Sequence, residues 1–308
     1  MLKLGKARIC GPFRDIVVIG AASGYGAQNP ATQDAPEVLR RFDFLDQLKE
    51  SGIAYQWDGI VHLEKPHATA LDSVAAICSL LAEKTKKAIK GGHFPVVVGG
   101  DHSCAIGTWS GIKSAVDGPI GLIWIDAHMD SHTFSSSPSG AIHGMPLACL
   151  LGHGDERLTN IASPGAKLEA ENVCLIGVRS FEEGEAKLLS SLGVRIFTMD
   201  EIRQRGIDEV AKEAFCIAEE NTAGFGISID LDALDPMEEP GVGSPVPGGL
   251  LRKELASALS RYRESGCLLG IEIVEYNPYL DSKFATAHAA SELIEALVPH
   301  QSEERSLS

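Results

Sequence analysis

The sequence predicts an α/β protein built on a parallel sheet with helices covering both faces. Three observations carry that prediction. Short β-branched runs alternate with longer stretches of helical period. Several of the short runs are apolar throughout rather than every second residue, the pattern of strands buried on both sides. The chain has 308 residues, 44% of them hydrophobic and 22% charged, enough to enclose one large core. A single domain over residues 1–300 is expected, with a frayed tail at 301–308.

The elements follow in order. Residues 15–20 (DIVVIG) read as a strand closing on Gly20, and 35–52 as a helix stopped by Gly52. The clearest helix is 70–90, where Val74, Ile77, Cys78, Leu81 and Ala88 recur at helical spacing while Lys84, Lys86 and Lys87 face elsewhere. Gly91 and Gly92 end it. Further strands are expected at 94–98, 120–125, 172–178, 194–198, 225–231 and 267–274, and further helices at 199–221, 250–265 and 283–297. The serine-rich run 133–140 (TFSSSPSG) is a loop.

The net charge of −15 argues against a nucleic-acid partner, which needs a basic surface, and favours attraction of cations. No run reaches about 18 apolar residues, so no transmembrane span is expected. The start carries Lys3, Lys6 and Arg8 without the form of a secretory signal. Seven scattered cysteines, at 10, 78, 104, 149, 174, 216 and 267, include no CxxC pair, which suggests reduced thiols and a cytoplasmic location.

Function is legible at the strand ends, where open α/β sheets bind their ligands. Four strands run into polar clusters: Gly99-Gly100-Asp101-His102-Ser103, Asp126-Ala127-His128-Met129-Asp130, Asp230-Leu231-Asp232 and Glu275-Tyr276-Asn277-Pro278. Residues at i, i+2 and i+4 leaving a strand point to one side, so Asp126, His128 and Asp130 can converge. Uncompensated, such groups repel one another or are expensively desolvated, and a divalent cation resolves the conflict. The competing readings are a solvated turn whose aspartates cap a helix, a solvated acid pair at Asp230 and Asp232, and a satisfied core histidine at His102. Taken together, two histidines and four aspartates suit two metals with shared carboxylates. A carboxylate–imidazole set without thiolate favours a hard or borderline ion such as Mn²⁺. Two such ions about 3.5–4 Å apart would share a water and lower its pKa.

GGDHS at 99–103, DAHMD at 126–130, SGAIHG at 139–144 and SIDLDALDP at 228–236 resemble the ureohydrolase family, and within it the arginases. The resemblance spans nearly the whole chain and implies a three-layer αβα fold with a central, mainly parallel eight-stranded sheet and two Mn²⁺ per subunit. It implies His102, Asp126, Asp130 and Asp230 as ligands of one ion, and His128, Asp126, Asp230 and Asp232 as ligands of the other. Asp126 and Asp230 would bridge. His143 resembles the proton shuttle of the family, Glu275 the acid that pairs with the substrate guanidinium, and Asp130 would accept a hydrogen bond from the nucleophile. Ser139 stands where a substrate-binding serine is usual. His132 and Ala141 replace residues usually asparagine, Glu182 replaces an aspartate that reads the α-amino group, and Ser244 replaces a threonine. Asparagine offers both a donor and an acceptor where histidine can still donate to a carboxylate, and restoring the usual residue by His132→Asn is expected to retain or improve use of arginine.

The implied activity is cleavage of L-arginine to L-ornithine and urea, by an oligomer (trimer or hexamer) acting on a small guanidino substrate. The alternatives are another guanidino or formimino acid as substrate, such as guanidinobutyrate or formiminoglutamate, or an inactive metal-binding homologue.

Overall fold

The computed structural model describes Phe13 and residues 15–299; Cys10 and the expected tail at 301–308 lie outside the described residues. In chain order the elements are β1 (Ile16–Ala21), α1 (Ala35–Arg41), α2 (Asp46–Glu50), β2 (Tyr55–Val61), α3 (Ala70–Lys90), β3 (Phe94–Gly99), α4 (Cys104–Ala115), β4 (Gly121–Ile125), α5 (Pro146–Leu150), α6 (Glu156–Thr159), β5 (Val173–Val178), α7 (Glu183–Leu192), β6 (Arg195–Thr198), α8 (Met199–Arg205), α9 (Ile207–Glu219), β7 (Phe225–Asp230), α10 (Arg252–Ser260), β8 (Leu268–Val274) and α11 (Ala285–Leu297).

The eight strands form one sheet in the order β2-β1-β3-β8-β7-β4-β5-β6, and every pairing is parallel. Side chains alternate between its faces. Val18, Val96, Val98, Ile125, Ile176, Ile229 and Ile273 pack under α1, α8, α9, α10 and α11. On the other face, Leu122, Trp124, Val173 and Leu175 form one cluster and Val17, Ile19 and Val97 another, beneath α3, α4 and α5. This is the expected covering of both faces. Each fully buried Val, Leu or Ile adds about 1.5–3 kcal/mol relative to exposure.

The helix at 70–90 forms as read: Thr69 caps it by accepting from the Asp72 N–H at 3.1 Å, and Val74, Ile77, Cys78, Leu81 and Ala88 are all buried. Two of the expected helices are divided. The stretch 35–52 breaks between α1 and α2, where Asp43 adopts a left-handed backbone (φ 52°) and the chain turns so that Leu45 and Leu48 reach the core. The stretch 199–221 breaks at Gly206, whose φ of 84° ends α8 and whose N–H closes on the Ile202 carbonyl at 2.8 Å.

Five of these elements have no range among those expected from the sequence, β2, α4, α5, α6 and α7, and two of them show why. Strand β2 is an edge strand, paired only with β1, and its residues are mostly half-buried, so YQWDGIV shows neither an apolar run nor clean alternation. Helix α4 is buried from Cys104 through Ile112, so it has no polar stripe to reveal a 3.6 period. It approaches α3 so closely that a Cβ on Gly111 would lie 2.2 Å from the Ala82 carbonyl.

The fold brings the four polar strand ends together. Strands β3, β8, β7 and β4 are successive neighbours. Their register is level: Val98 pairs with Ile273, Asp230 with Val274, and Ile229 with Ile125. Asp126, one residue beyond Ile125, therefore stands beside Asp230, and the Glu275 N–H reaches the Gly100 carbonyl at 2.8 Å.

Candidate functional site

At this sheet edge the acids and imidazoles form two adjoining groups, His102–Asp126–Asp130–Asp230 and Asp126–His128–Asp232. The His102 Nδ1 atom lies 3.2 Å from Asp126 Oδ2, 3.0 Å from Asp130 Oδ2 and 3.2 Å from Asp230 Oδ2. The His128 Nδ1 atom lies 3.4 Å from Asp126 Oδ1 and 3.1 Å from Asp232 Oδ2. Asp126 thus turns one carboxylate oxygen to each histidine. Asp230 joins the first group with Oδ2, while its Oδ1 accepts from the Asp232 N–H at 2.8 Å.

The chemistry of this donor set fits divalent cations. The four aspartates are all buried. Three carboxylate oxygens surround a single imidazole nitrogen, and one proton cannot serve them all. Even with His102 and His128 both protonated, two negative charges stay uncompensated. Arg179, the nearby cation, directs its guanidinium to the carbonyls of Asp232, Leu234 and Val246 instead. The strain shows in the proton affinities. Burial opposes charge on His102, yet Asp126, Asp130 and Asp230 raise its pKa well above the usual value. Burial also drives Asp230 well upward, reinforced by Asp232 and Asp126. Hard oxygen donors with two imidazoles match the Mn²⁺ class.

A second layer of residues, which sequence reasoning missed, fixes these groups. Trp124 stacks on His102 with ring centroids 4.0 Å apart, and its Nε1 donates to Asp126 Oδ2 at 2.9 Å. His102 Nε2 meets Ser228 Oγ at 3.1 Å, and Ser228 donates to Glu272 Oε2 at 2.7 Å. Glu272 also accepts from Thr108 and Trp109, and its burial raises its pKa. The only signal in the sequence was a polar residue on each of two buried strands. Because such partners orient metal ligands, Glu272→Gln should weaken manganese binding by roughly 10–100-fold, measured by metal titration of the metal-free protein. Unchanged affinity would exclude this role.

Two site residues occupy the left-handed region without being glycine: Asp130 at φ 46° and Glu275 at φ 63°. Such backbone costs about 1–3 kcal/mol each and persists where the surroundings enforce it. Glu275 Oε1 accepts from the His102 N–H at 2.9 Å and lies 3.0 Å from His143 Nδ1. Burial lowers the His143 pKa, but the bond to Glu275 outweighs it and lifts the imidazole to about 9. Buried Asp101, part of the polar cluster read from the sequence but given no role there, accepts from the Gly26 N–H at 3.0 Å, and the Gly26 carbonyl accepts from the His143 N–H at 3.1 Å.

Above the two groups opens a cavity of about 200 Å³. Its lining includes His128, Asp130, Asp230, Asp232, His143 and Glu275, and, farther out, His132, Ser137, Ser139, Ala141, Glu182, Glu185 and Ser244. Every sequence-predicted substrate residue therefore borders one space. Fully buried His102 and Asp126 lie outside that lining. Glu185 was not anticipated. It enters through the first turn of α7, where Glu182 and Glu185 form a reciprocal capping box. Burial and the nearby charge of Asp130 push Glu185 up to about 8.

Comparison with known proteins points to one family. The family model described as "Arginase family" matches residues 14–298. The arginase of Bacillus caldovelox is 44% identical over 294 residues, covering 92% of this chain and 98% of its own length. The arginase of Brevibacillus brevis is 38% identical over 291 residues, with coverage of 92% and 97%. The crystal structure of arginase from Bacillus subtilis superposes with a TM-score of 0.87 at 39% identity, covering 92% of this chain and 98% of that one.

Proposed function

The chain belongs to the arginase family, and from that premise we propose that it hydrolyses L-arginine to L-ornithine and urea using two Mn²⁺ ions. The observation that carries the proposal is the pair of buried ligand groups sharing Asp126 at the floor of a cavity bordered by Glu275 and His143. In this reading His102, Asp126, Asp130 and Asp230 would hold one ion, and His128, Asp126, Asp230 and Asp232 would hold the other. Such a pair supplies Lewis acidity and a water of lowered pKa as nucleophile.

The protein groups do the rest. Glu275 receives the planar guanidinium: Oε1 is engaged by His102 and His143, and Oε2 has no hydrogen-bond partner among the described residues. Asp130 accepts a proton or hydrogen bond from the attacking water. His143, held through Nδ1 by Glu275, has Nε2 left to pass a proton to the departing amine. Ser137, Ser139 and Ser244 offer hydroxyls to the far end of the substrate, and Glu182 offers a carboxylate to its amino group.

The protein is further proposed to act as a single ureohydrolase domain, in a homo-oligomer (trimer or hexamer), in the cytoplasm. The buried, unbridged thiols of Cys78, Cys104, Cys149 and Cys174 support a reducing compartment. Among the described residues no helix is long and apolar enough to cross a membrane.

The deciding experiment is urea release from arginine, agmatine and guanidinobutyrate by metal-free protein with manganese added back. Arginine should be the preferred substrate, and activity should return with manganese. Preference for either other compound would move the substrate within the family. A flat response to all three with manganese bound would point to an inactive homologue.

A further inference from the structure

We propose that His132 is a positioning residue: it holds the Glu182 carboxylate at the mouth of the cavity, and the pair selects substrates whose far end carries an ammonium group. This deepens the arginine-hydrolase reading and rests on it. Both ring nitrogens of His132 are engaged within the chain. Nδ1 lies 3.1 Å from Ser136 Oγ, and Nε2 lies 3.0 Å from Glu182 Oε2 and 3.4 Å from Glu185 Oε2. The ring is buried while Glu182 is largely exposed, so the buried partner anchors the free one. A ring so engaged donates to a substrate carboxylate only by giving up its contact with Ser136 or with Glu182.

The local structure explains the pairing. The His132 N–H is tied to the Gly144 carbonyl at 2.9 Å, which fixes the loop after Asp130. Glu182 caps α7, and its own N–H donates to Glu185 Oε2 at 3.0 Å. Two rigid backbone anchors therefore face each other across the cavity mouth, and a long pair, His with Glu, spans the gap between them. Asparagine at 132 is shorter and would leave the Glu182 carboxylate with only its capping-box bond to the first turn of α7, no longer drawn toward the cavity from the His132 side. The outcome expected from sequence for His132→Asn therefore reverses: the exchange should impair arginine use.

The test is a mutant cycle in manganese-loaded protein. His132→Asn should raise KM for arginine roughly tenfold, the cost of one charge-assisted hydrogen bond, and leave kcat within about twofold. Glu182→Gln should do at least as much, and the double variant should be no worse than Glu182→Gln alone, because one residue acts through the other. Competitive inhibition separates the ends of the substrate. His132→Asn should weaken agmatine, which has the ammonium and no carboxylate, and leave 4-guanidinobutyrate, which has the carboxylate and no ammonium, unchanged. Additive losses, or weakening of 4-guanidinobutyrate instead of agmatine, would overturn the proposal. If the wild-type chain releases no urea from any guanidino compound, the hydrolase reading fails. The pair is then judged by calorimetric binding of agmatine, weaker in His132→Asn if the pair holds and equal if it does not.

Discussion

Alanine in place of Asp126 is expected to strip the protein of bound manganese and of nearly all turnover. Among the described residues Asp126 is the one carboxylate whose two oxygens face both histidines, Oδ2 toward His102 and Oδ1 toward His128. It is fully buried and level with Asp230 across the β4–β7 pairing. Removing it leaves each ligand group short of a donor and leaves the Trp124 N–H without its acceptor. Asp230→Ala should behave alike, since Asp230 contributes to the His102 group and also caps the turn that carries Asp232. Loss of the metal pair forfeits the lowered water pKa, so urea release should fall by more than roughly a thousandfold. Metal content by atomic absorption together with the urea assay checks both points. Two manganese ions retained in both variants would contradict the assignment of Asp126 and Asp230 as shared ligands.

His143→Ala should give the opposite combination: full metal content and slow turnover. His143 lies in neither ligand group and is tied instead to Glu275 and to the Gly26 carbonyl. Its loss removes a proton donor without touching the metal cage. General acid–base groups are worth about 10²–10⁴ in rate, so kcat should fall by roughly a hundredfold or more at unchanged manganese stoichiometry. Glu275 loses a partner in this variant, and KM should rise as well, because that carboxylate is then less firmly aimed. An unchanged kcat would remove His143 from the mechanism.

The same residues show how far sequence reasoning reached. DxHxD leaving an apolar run is a local pattern, and the period of a strand alone places Asp126, His128 and Asp130 on one side. The helix at 70–90 is equally local, since its cap, stripe and terminating glycines lie within one window. Among the elements that escaped, β2 is half-exposed at an edge and α4 is buried all round, so neither has the contrast between faces that a periodicity measures. Trp124, Ser228 and Glu272 were invisible as site residues for another reason. Each is an ordinary strand residue until the sheet order sets Trp124 and Ser228 against His102 and Glu272 behind Ser228.

The sequence by itself determined the ligand chemistry, the strand tips that carry it and the α/β class, because these depend on residue type and short-range spacing. The tertiary structure alone decided that β3, β8, β7 and β4 are neighbours in level register, that Asp130 and Glu275 bend through left-handed backbone, and that His132 is committed to Glu182. Those facts rest on contacts between residues distant in the chain, 50 positions apart for His132 with Glu182 and 173 for His102 with Glu275. Packing and hydrogen bonding at that separation are fixed only when the whole sheet closes on its helices, and no window of sequence contains them.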